Sequence, residues 1–360
     1  MWPTSILFLI LGLTLILPIN GVANELRTPK RYRISLDDPP EIRWNQVIDD
    51  HLDAIPAVID EAKQYVPQPF QRILFWIAEK LIGLFPADYA TEMRAIANRT
   101  GLPLGEVVGM NILYDITSFD RRHILGPFAC TSIVAQDSKG NIFHGRNLDY
   151  DMGSLLKNIT VIVDFVRNDT IVFTTTTFAL YVGVLTGQRP HGYTISLNAR
   201  YSGAYIDNII MEFITFFKNP VSFEIRETLE KVETFDEAVK QLSRVHFVAP
   251  SYLIMGGVKP GEGAIITRNR WSSADVYKIN IEKDRWFLLE TNFDHWKKSD
   301  DDRRKFGIKF MEDVGRKNLN PSSLFSVLSK NPVNNKQTIF SSVMSAAVPE
   351  LVYKFTKIRD

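Results

Sequence analysis

The spacing of apolar residues changes near residue 130 and divides the chain in two. From Val47 to Tyr65 they recur as Ile48, Leu52, Ile55, Val58, Ile59 and Ala62, the rhythm of one helix face. Pro67 and Pro69 end that helix. Phe70 to Phe85 predicts a second helix, whose apolar run Ile73 to Ala78 wraps more than one face. Such a helix is either buried on several sides or laid on lipid through Phe75, Trp76 and Ile77, and the pattern leaves both open. Ala90 to Arg99 predicts a short helix stopped at Gly101, and Pro103-Leu-Gly-Glu106 opens another running to about Ile116. One extended piece, Tyr32 to Leu36, precedes them. Thr117 to Ala129 is polar and irregular, the character of an exposed linker open to cutting.

After Cys130 short runs of β-formers replace the helical rhythm. Thr131 to Gln136, a turn at Asp137-Ser-Lys-Gly140 and an extended run ending in Arg146-Asn-Leu-Asp-Tyr150 predict a hairpin. Further strands are expected at 160–165, 171–178, 193–198, 252–255, 263–267, 275–279, 286–290, 338–343 and 351–355. Helices are expected at 204–217, 222–231, 235–245, 302–316 and 322–328, with Thr234 and Glu237 forming a capping box. A helical first third followed by strands with helices between them predicts a layered α+β fold or sandwiched sheets.

The 360 residues, 45% hydrophobic, suffice for a substantial core, and a net charge of +1 gives no electrostatic case for nucleic acid. Met1 to Pro18 is an apolar run, and Gly21 and Ala23 suit removal of a signal peptide spanning residues 1–23. The sequons at Asn98, Asn158 and Asn168 fit the same secretory route. The single cysteine permits no internal disulfide. Cys130 is therefore a buried small hydrophobe, a partner for another chain, or a reactive thiol.

A cysteine at a chain's N-terminus needs no distant histidine. Its own α-amine, with pKa about 8 against about 8.5 for the thiol, can accept the thiol proton. Cleavage of Ala129–Cys130 would create that terminus, and the hairpin returns Arg146 and Asp149 beside it. Spacing alone equally allows Arg146 and Asp149 to be a structural pair.

Cys130-Thr-Ser-Ile-Val-Ala, Gly145-Arg-Asn-Leu-Asp-Tyr150, Thr291-Asn-Phe-Asp-His-Trp296 and Asp301-Asp-Arg-Arg304 resemble the acid ceramidase and N-acylethanolamine acid amidase family, N-terminal-nucleophile hydrolases related to the choloylglycine hydrolases. The resemblance extends over nearly all of the chain after the leader. It implies a four-layer αββα sandwich, with residues 24–129 as a helical α-subunit that stays bound to the catalytic subunit, residues 130–360, after self-cleavage. It implies Cys130 as nucleophile, Asp149 on its freed amine, Arg146 beside it, and Asn292 at the oxyanion. Tyr150 and Arg303 are implied to meet substrate, with Arg303 less directly tied to the chemistry. Neither metal nor cofactor is implied. One departure is Ala199 in Ser196-Leu-Asn-Ala-Arg-Tyr201, where relatives carry glutamate, which bears on the pace of self-processing.

The implied substrates are fatty acyl amides, met at a membrane surface formed by residues 70–85 and 206–217. The direct run from Tyr150 into the next strand favours N-acylethanolamines, whereas Pro39-Pro40 and Pro103-Leu-Gly-Glu106 lean toward ceramide. The rival readings are a papain-like protease using His144 or His295 and a non-catalytic lipid-binding protein. A lysosomal or secreted destination follows from the leader and the resemblance.

Overall fold

The structure, a computed structural model, describes residues 26–64, 66, 68–117, 129–200 and 219–359. The leader, residues 118–128 of the linker and the expected helix at 204–217 lie outside the described residues.

Two sheets pack face to face. The larger runs in the order β1 (Lys30–Ser35), β4 (Thr160–Arg167), β5 (Thr170–Phe178), β6 (Thr186–Arg189), β7 (Tyr193–Ala199), β8 (Ser251–Gly256), β9 (Gly263–Arg268) and β10 (Ser273–Lys278). The smaller runs β11 (Phe287–Glu290), β2 (Ala129–Gln136), β3 (Ile142–Asp149), β12 (Thr338–Met344) and β13 (Lys357–Ile358). Val134 and Ile142 of the smaller sheet meet Ile254 and Ile265 of the larger in an apolar layer between them. Helices cover both outer faces. Outside the larger sheet lie α7 (Val221–Lys231) and α8 (Phe235–Arg244) with the helices of the first third, around Ile195, Leu197 and Leu253. Outside the smaller lie α9 (Asp302–Val314), α10 (Pro321–Ser329) and α11 (Leu351–Phe355), around Ile133, Leu324 and Val343. The four layers are the αββα sandwich.

Besides the short strands β6 and β13, which the sequence pattern does not mark, two elements differ from it. The helix expected across 47–65 is two, α1 (Asn45–Asp49) and α2 (Ile55–Gln64). Pro56, lacking an N–H and fixed near helical φ, suits the first turn of a new helix but not the interior of a continuous one. The strand expected at 351–355 is the helix α11. Its β-forming residues are overruled by packing, because Leu351 and Phe355, one helical turn apart, both reach the core under the smaller sheet.

The first third is bound into the larger sheet. β1 pairs in parallel with β4, from Lys30 opposite Val161 to Ser35 opposite Val166. On α4 (Ala87–Thr100), Glu92 is wholly buried and receives Arg226 Nη2 of α7 at 2.8 Å, Trp44 Nε1 at 2.9 Å and Arg43 Nη1 at 3.1 Å. The Arg226 guanidinium also lies over the rings of Tyr89 and Phe165, at 4.3 and 4.6 Å. A buried charge is tolerated only when paired and hydrogen-bonded, and both members of this pair are. On α5 (Leu104–Thr117), Asn111 donates to the Leu180 carbonyl at 3.0 Å and accepts the Val182 N–H at 2.7 Å.

α3 (Gln68–Leu81) corrects the expected lipid-facing set. Phe75 is half-buried and turns its ring onto α5, where a Cβ on Gly109 would lie 3.1 Å from Phe75 Cε1. Ile77 is half-buried. The exposed row is Phe70 (57%), Ile73 (55%) and Trp76 (57%), spaced three apart along one helix face. No helix among the described residues is long and apolar enough to cross a membrane.

Candidate active site

The hairpin of β2 and β3 closes through Asp137, whose Oδ1 accepts the N–H groups of Lys139 and Asn141, both at 2.8 Å. Gly140 takes φ +94°, a conformation glycine adopts without strain. This turn fixes the register that places Leu148 opposite Cys130 and Asp149 opposite Ala129. Cys130 thus lies deep in the smaller sheet, buried, one residue from the strand's start.

Four side chains converge on it. Asn292, just beyond β11, accepts the Cys130 N–H on Oδ1 at 3.1 Å and donates its Nδ2 to the Ala199 carbonyl at 2.9 Å. In this arrangement the amide oxygen of Asn292, rather than its NH2 group, faces Cys130. Arg303, in the first turn of α9, donates to the Cys130 carbonyl at 2.9 Å and to Asn292 Oδ1 at 3.1 Å. Arg303 therefore sits against the Cys130 backbone. Asp149 Oδ2 lies 3.6 Å from Arg303 Nη1. Arg146 is fully buried and bonds neutral acceptors, Ser132 Oγ at 3.2 Å, the Leu197 carbonyl at 2.8 Å and Asn198 Oδ1.

These charges shape the titration of the site. Burial pushes the Cys130 thiol up, opposed by the Arg146 and Arg303 guanidinium groups and reinforced by Asp149. Burial also raises the Asp149 carboxyl, against Arg303 and the hydrogen bonds from Thr338 and Asn335. Its Oδ1 is buried without a hydrogen-bond partner. The Asp149 charge acts on Cys130, so this orphaned carboxylate oxygen is an acceptor suited to a cation formed there.

The remaining residues named from the sequence are also located. The Tyr150 side chain is buried with the core of the larger sheet, and its N–H donates to the Gln337 carbonyl at 2.8 Å. Ala199 is buried, with its methyl group in the same core, and supplies the site a carbonyl. His144 bonds Thr194 Oγ1 and Ser196 Oγ, each at 2.9 Å, and burial drops its pKa to about 3. His295 stacks on Tyr277 at 4.2 Å between ring centroids. Both are committed elsewhere, which removes the papain-like arrangement. Asn98, Asn158 and Asn168 are exposed.

Three site residues escaped the sequence reading. Asp301 holds the Arg303 guanidinium at 2.9 and 3.2 Å. Asn198 accepts from Arg146 and donates to the carbonyls of Glu290 at 3.0 Å and Thr291 at 2.8 Å, joining the arginine to the segment carrying Asn292. Asn335 donates to Asp149 Oδ2 at 3.2 Å. For Asn198 a signal existed: Thr194, Ser196 and Asn198 alternate with apolar residues, marking a polar face on a buried strand.

A sandwich of two sheets between helices, with a thiol at the head of its central hairpin, is the architecture of an N-terminal-nucleophile hydrolase. A family model described as linear amide C–N hydrolases, choloylglycine hydrolase family, matches residues 130–315. Another, described as the beta subunit of N-acylethanolamine-hydrolyzing acid amidase, matches residues 27–85, within what the sequence reading labelled an α-subunit. The chain is 56% identical to an N-acylethanolamine-hydrolyzing acid amidase of Caenorhabditis elegans, covering 93% of this chain and 94% of that one. It is 36% identical to the acid ceramidase of Mus musculus, over 87% and 82% of the two chains. A solved Caenorhabditis elegans N-acylethanolamine-hydrolyzing acid amidase ortholog superposes with TM-score 0.61 at 57% identity, over 64% of this chain and all of that one. The chain belongs to the N-acylethanolamine acid amidase and acid ceramidase family of choloylglycine-type hydrolases, and it is an amide hydrolase.

Proposed function

We propose that the chain cuts its own Ala129–Cys130 bond and that the freed Cys130 hydrolyses N-acylethanolamines to fatty acid and ethanolamine. The observation that carries this reading is the Cys130 N–H held by Asn292 Oδ1 at 3.1 Å, in a site where Asp149, its Oδ1 unpartnered, acts electrostatically on Cys130. In self-cleavage the thiol adds to the Ala129 carbonyl carbon and the C–N bond breaks. The nitrogen takes a proton to become the α-amine, and water hydrolyses the resulting thioester. The new amine has Asn292 Oδ1 as acceptor, and Asp149 balances its charge when it is protonated.

In turnover the amine removes the thiol proton and the thiolate attacks the substrate carbonyl. The tetrahedral oxyanion collapses to a thioester as ethanolamine leaves with a proton, and water releases the fatty acid. The cations Arg146 and Arg303 favour the thiolate and the developing oxyanion.

The 56% identity to an N-acylethanolamine amidase, against 36% to an acid ceramidase, supports the ethanolamide over ceramide. With purified cleaved protein at acid pH, kcat/KM is expected to be at least about 10-fold higher for palmitoylethanolamide than for a ceramide. A preference for the ceramide would reverse the substrate assignment. In keeping with the leader and the exposed sequon asparagines, the enzyme acts in the lysosome or outside the cell as a glycoprotein.

The exposed row Phe70, Ile73 and Trp76 supports contact with the membrane from which an acyl amide is drawn. Trp76→Glu is expected to weaken binding to phospholipid vesicles and to slow turnover of vesicle-borne substrate, with turnover of a soluble short-chain amide unchanged. Undiminished vesicle binding in a folded Trp76→Glu protein would rule this surface out.

A further inference from the structure

Asp149 is held by neutral donors, the Thr338 hydroxyl and the Asn335 amide, and by the Arg303 cation. Asn335 Nδ2 donates to its Oδ2 at 3.2 Å, and the Arg303 guanidinium stands 3.6 Å from the same oxygen. Only Oδ1 is left without a hydrogen-bond partner. Asn335 is itself fixed: its Oδ1 accepts the Gln337 N–H at 2.9 Å, its N–H donates to Thr338 Oγ1 at 3.0 Å, and its carbonyl accepts the Thr338 N–H at 3.0 Å. Asparagine side chains that bond the backbone two residues on fix a tight turn and leave the NH2 group to point outward. Here it points at Asp149. Thr338 lies directly opposite Asp149 between β12 and β3, and the register shifts between Thr338 and Phe340. Such irregularities re-aim a side chain beside a site.

We infer that Asn335 is a positioning residue for the amide hydrolysis, pinning Oδ2 of Asp149 so that Oδ1 stays directed at the Cys130 amine. The inference rests on the proposed N-terminal-nucleophile reading and adds a residue to it. A carboxylate in a dry site gains strongly by closing on a guanidinium. With the Asn335 amide gone and only the Thr338 hydroxyl left as a neutral donor, Asp149 turns toward Arg303 and draws that arginine from the Cys130 carbonyl and Asn292. The amine then loses its counter-charge, its pKa falls, and it is held less firmly over the thiol. Asn335 is half-buried in a loop, so its substitution leaves the sandwich core untouched.

The test uses full-length wild-type, Asn335→Ala, Asn335→Asp and Asn335→Gln chains, followed for self-cleavage and, once cleaved, for kcat, KM and their pH dependence with palmitoylethanolamide. Asn335→Ala is expected to lower kcat by about 10- to 100-fold, the scale of a small misplacement, with KM within about twofold. Its pH profile should shift. Asn335→Asp places a second carboxylate against Asp149 and should lose more activity as pH rises. Asn335→Gln restores a carboxamide donor and should recover part of kcat. Should Asn335→Ala remain uncut, the cleavage rate of Asn335→Gln decides: intermediate supports the role, and equal to an uncut Asn335→Ala overturns it. Wild-type cleavage, kcat and pH profile in Asn335→Ala overturn the positioning role while leaving the site reading intact. A wild-type chain that neither cleaves nor hydrolyses amides overturns both.

Discussion

Cys130→Ala is expected to yield a folded chain that stays uncut and hydrolyses no acyl amide, with activity down by at least about four orders of magnitude. The size follows from the position. Cys130 is the only thiol in the chain, and Asn292, Arg303, Asp149 and Arg146 are arranged about its backbone and side chain. Losing one sulfur atom in the core is a small packing change, so the folded state should survive and circular dichroism should match the wild type. Retained amidase activity in Cys130→Ala would place the chemistry on another residue.

The second large effect concerns stability. Arg226→Ala takes from the wholly buried Glu92 its bidentate partner and leaves it only Arg43 and Trp44, at a cost of about 2–3 kcal/mol. Glu92 lies on the segment before residue 130 and Arg226 after it, so the pair would also join the two fragments of the proposed cleavage. The variant should unfold at markedly lower urea concentration, and its cleaved fragments should separate on gel filtration where the wild-type fragments co-elute. Wild-type denaturation midpoint and co-elution in Arg226→Ala would show that β1 pairing and the apolar core suffice.

Much of this was legible in the residues. The hairpin of Cys130 announces itself through a turn with Gly140, and the sandwich through the change of hydrophobic period at 130. What spacing left open, whether Arg146 and Asp149 form a structural pair, three-dimensional contacts answer differently for each: Arg146 bonds neutral acceptors, and Asp149 faces Arg303 and Asn335. The exposed row of α3 differs from the expected one because the Phe75 ring packs on Gly109 of α5, a fact of helix–helix contact rather than periodicity. Leu351 to Phe355 reads as strand because its residues favour sheets, yet the smaller sheet's helical cover needed a turn of helix there. Asn335 carries no local signature, since it matters only through Asp149, brought close by the fold, whereas Asp301 is a helix N-cap two residues before the Arg303 it holds.

In the proposed mechanism the chain acquires its catalytic group by breaking one of its own bonds. Purified wild-type protein incubated at acid pH and weighed by mass spectrometry is expected to give two fragments, the second beginning at Cys130, appearing together with amidase activity. An intact chain with full amidase activity would rule self-cleavage out as the source of that group.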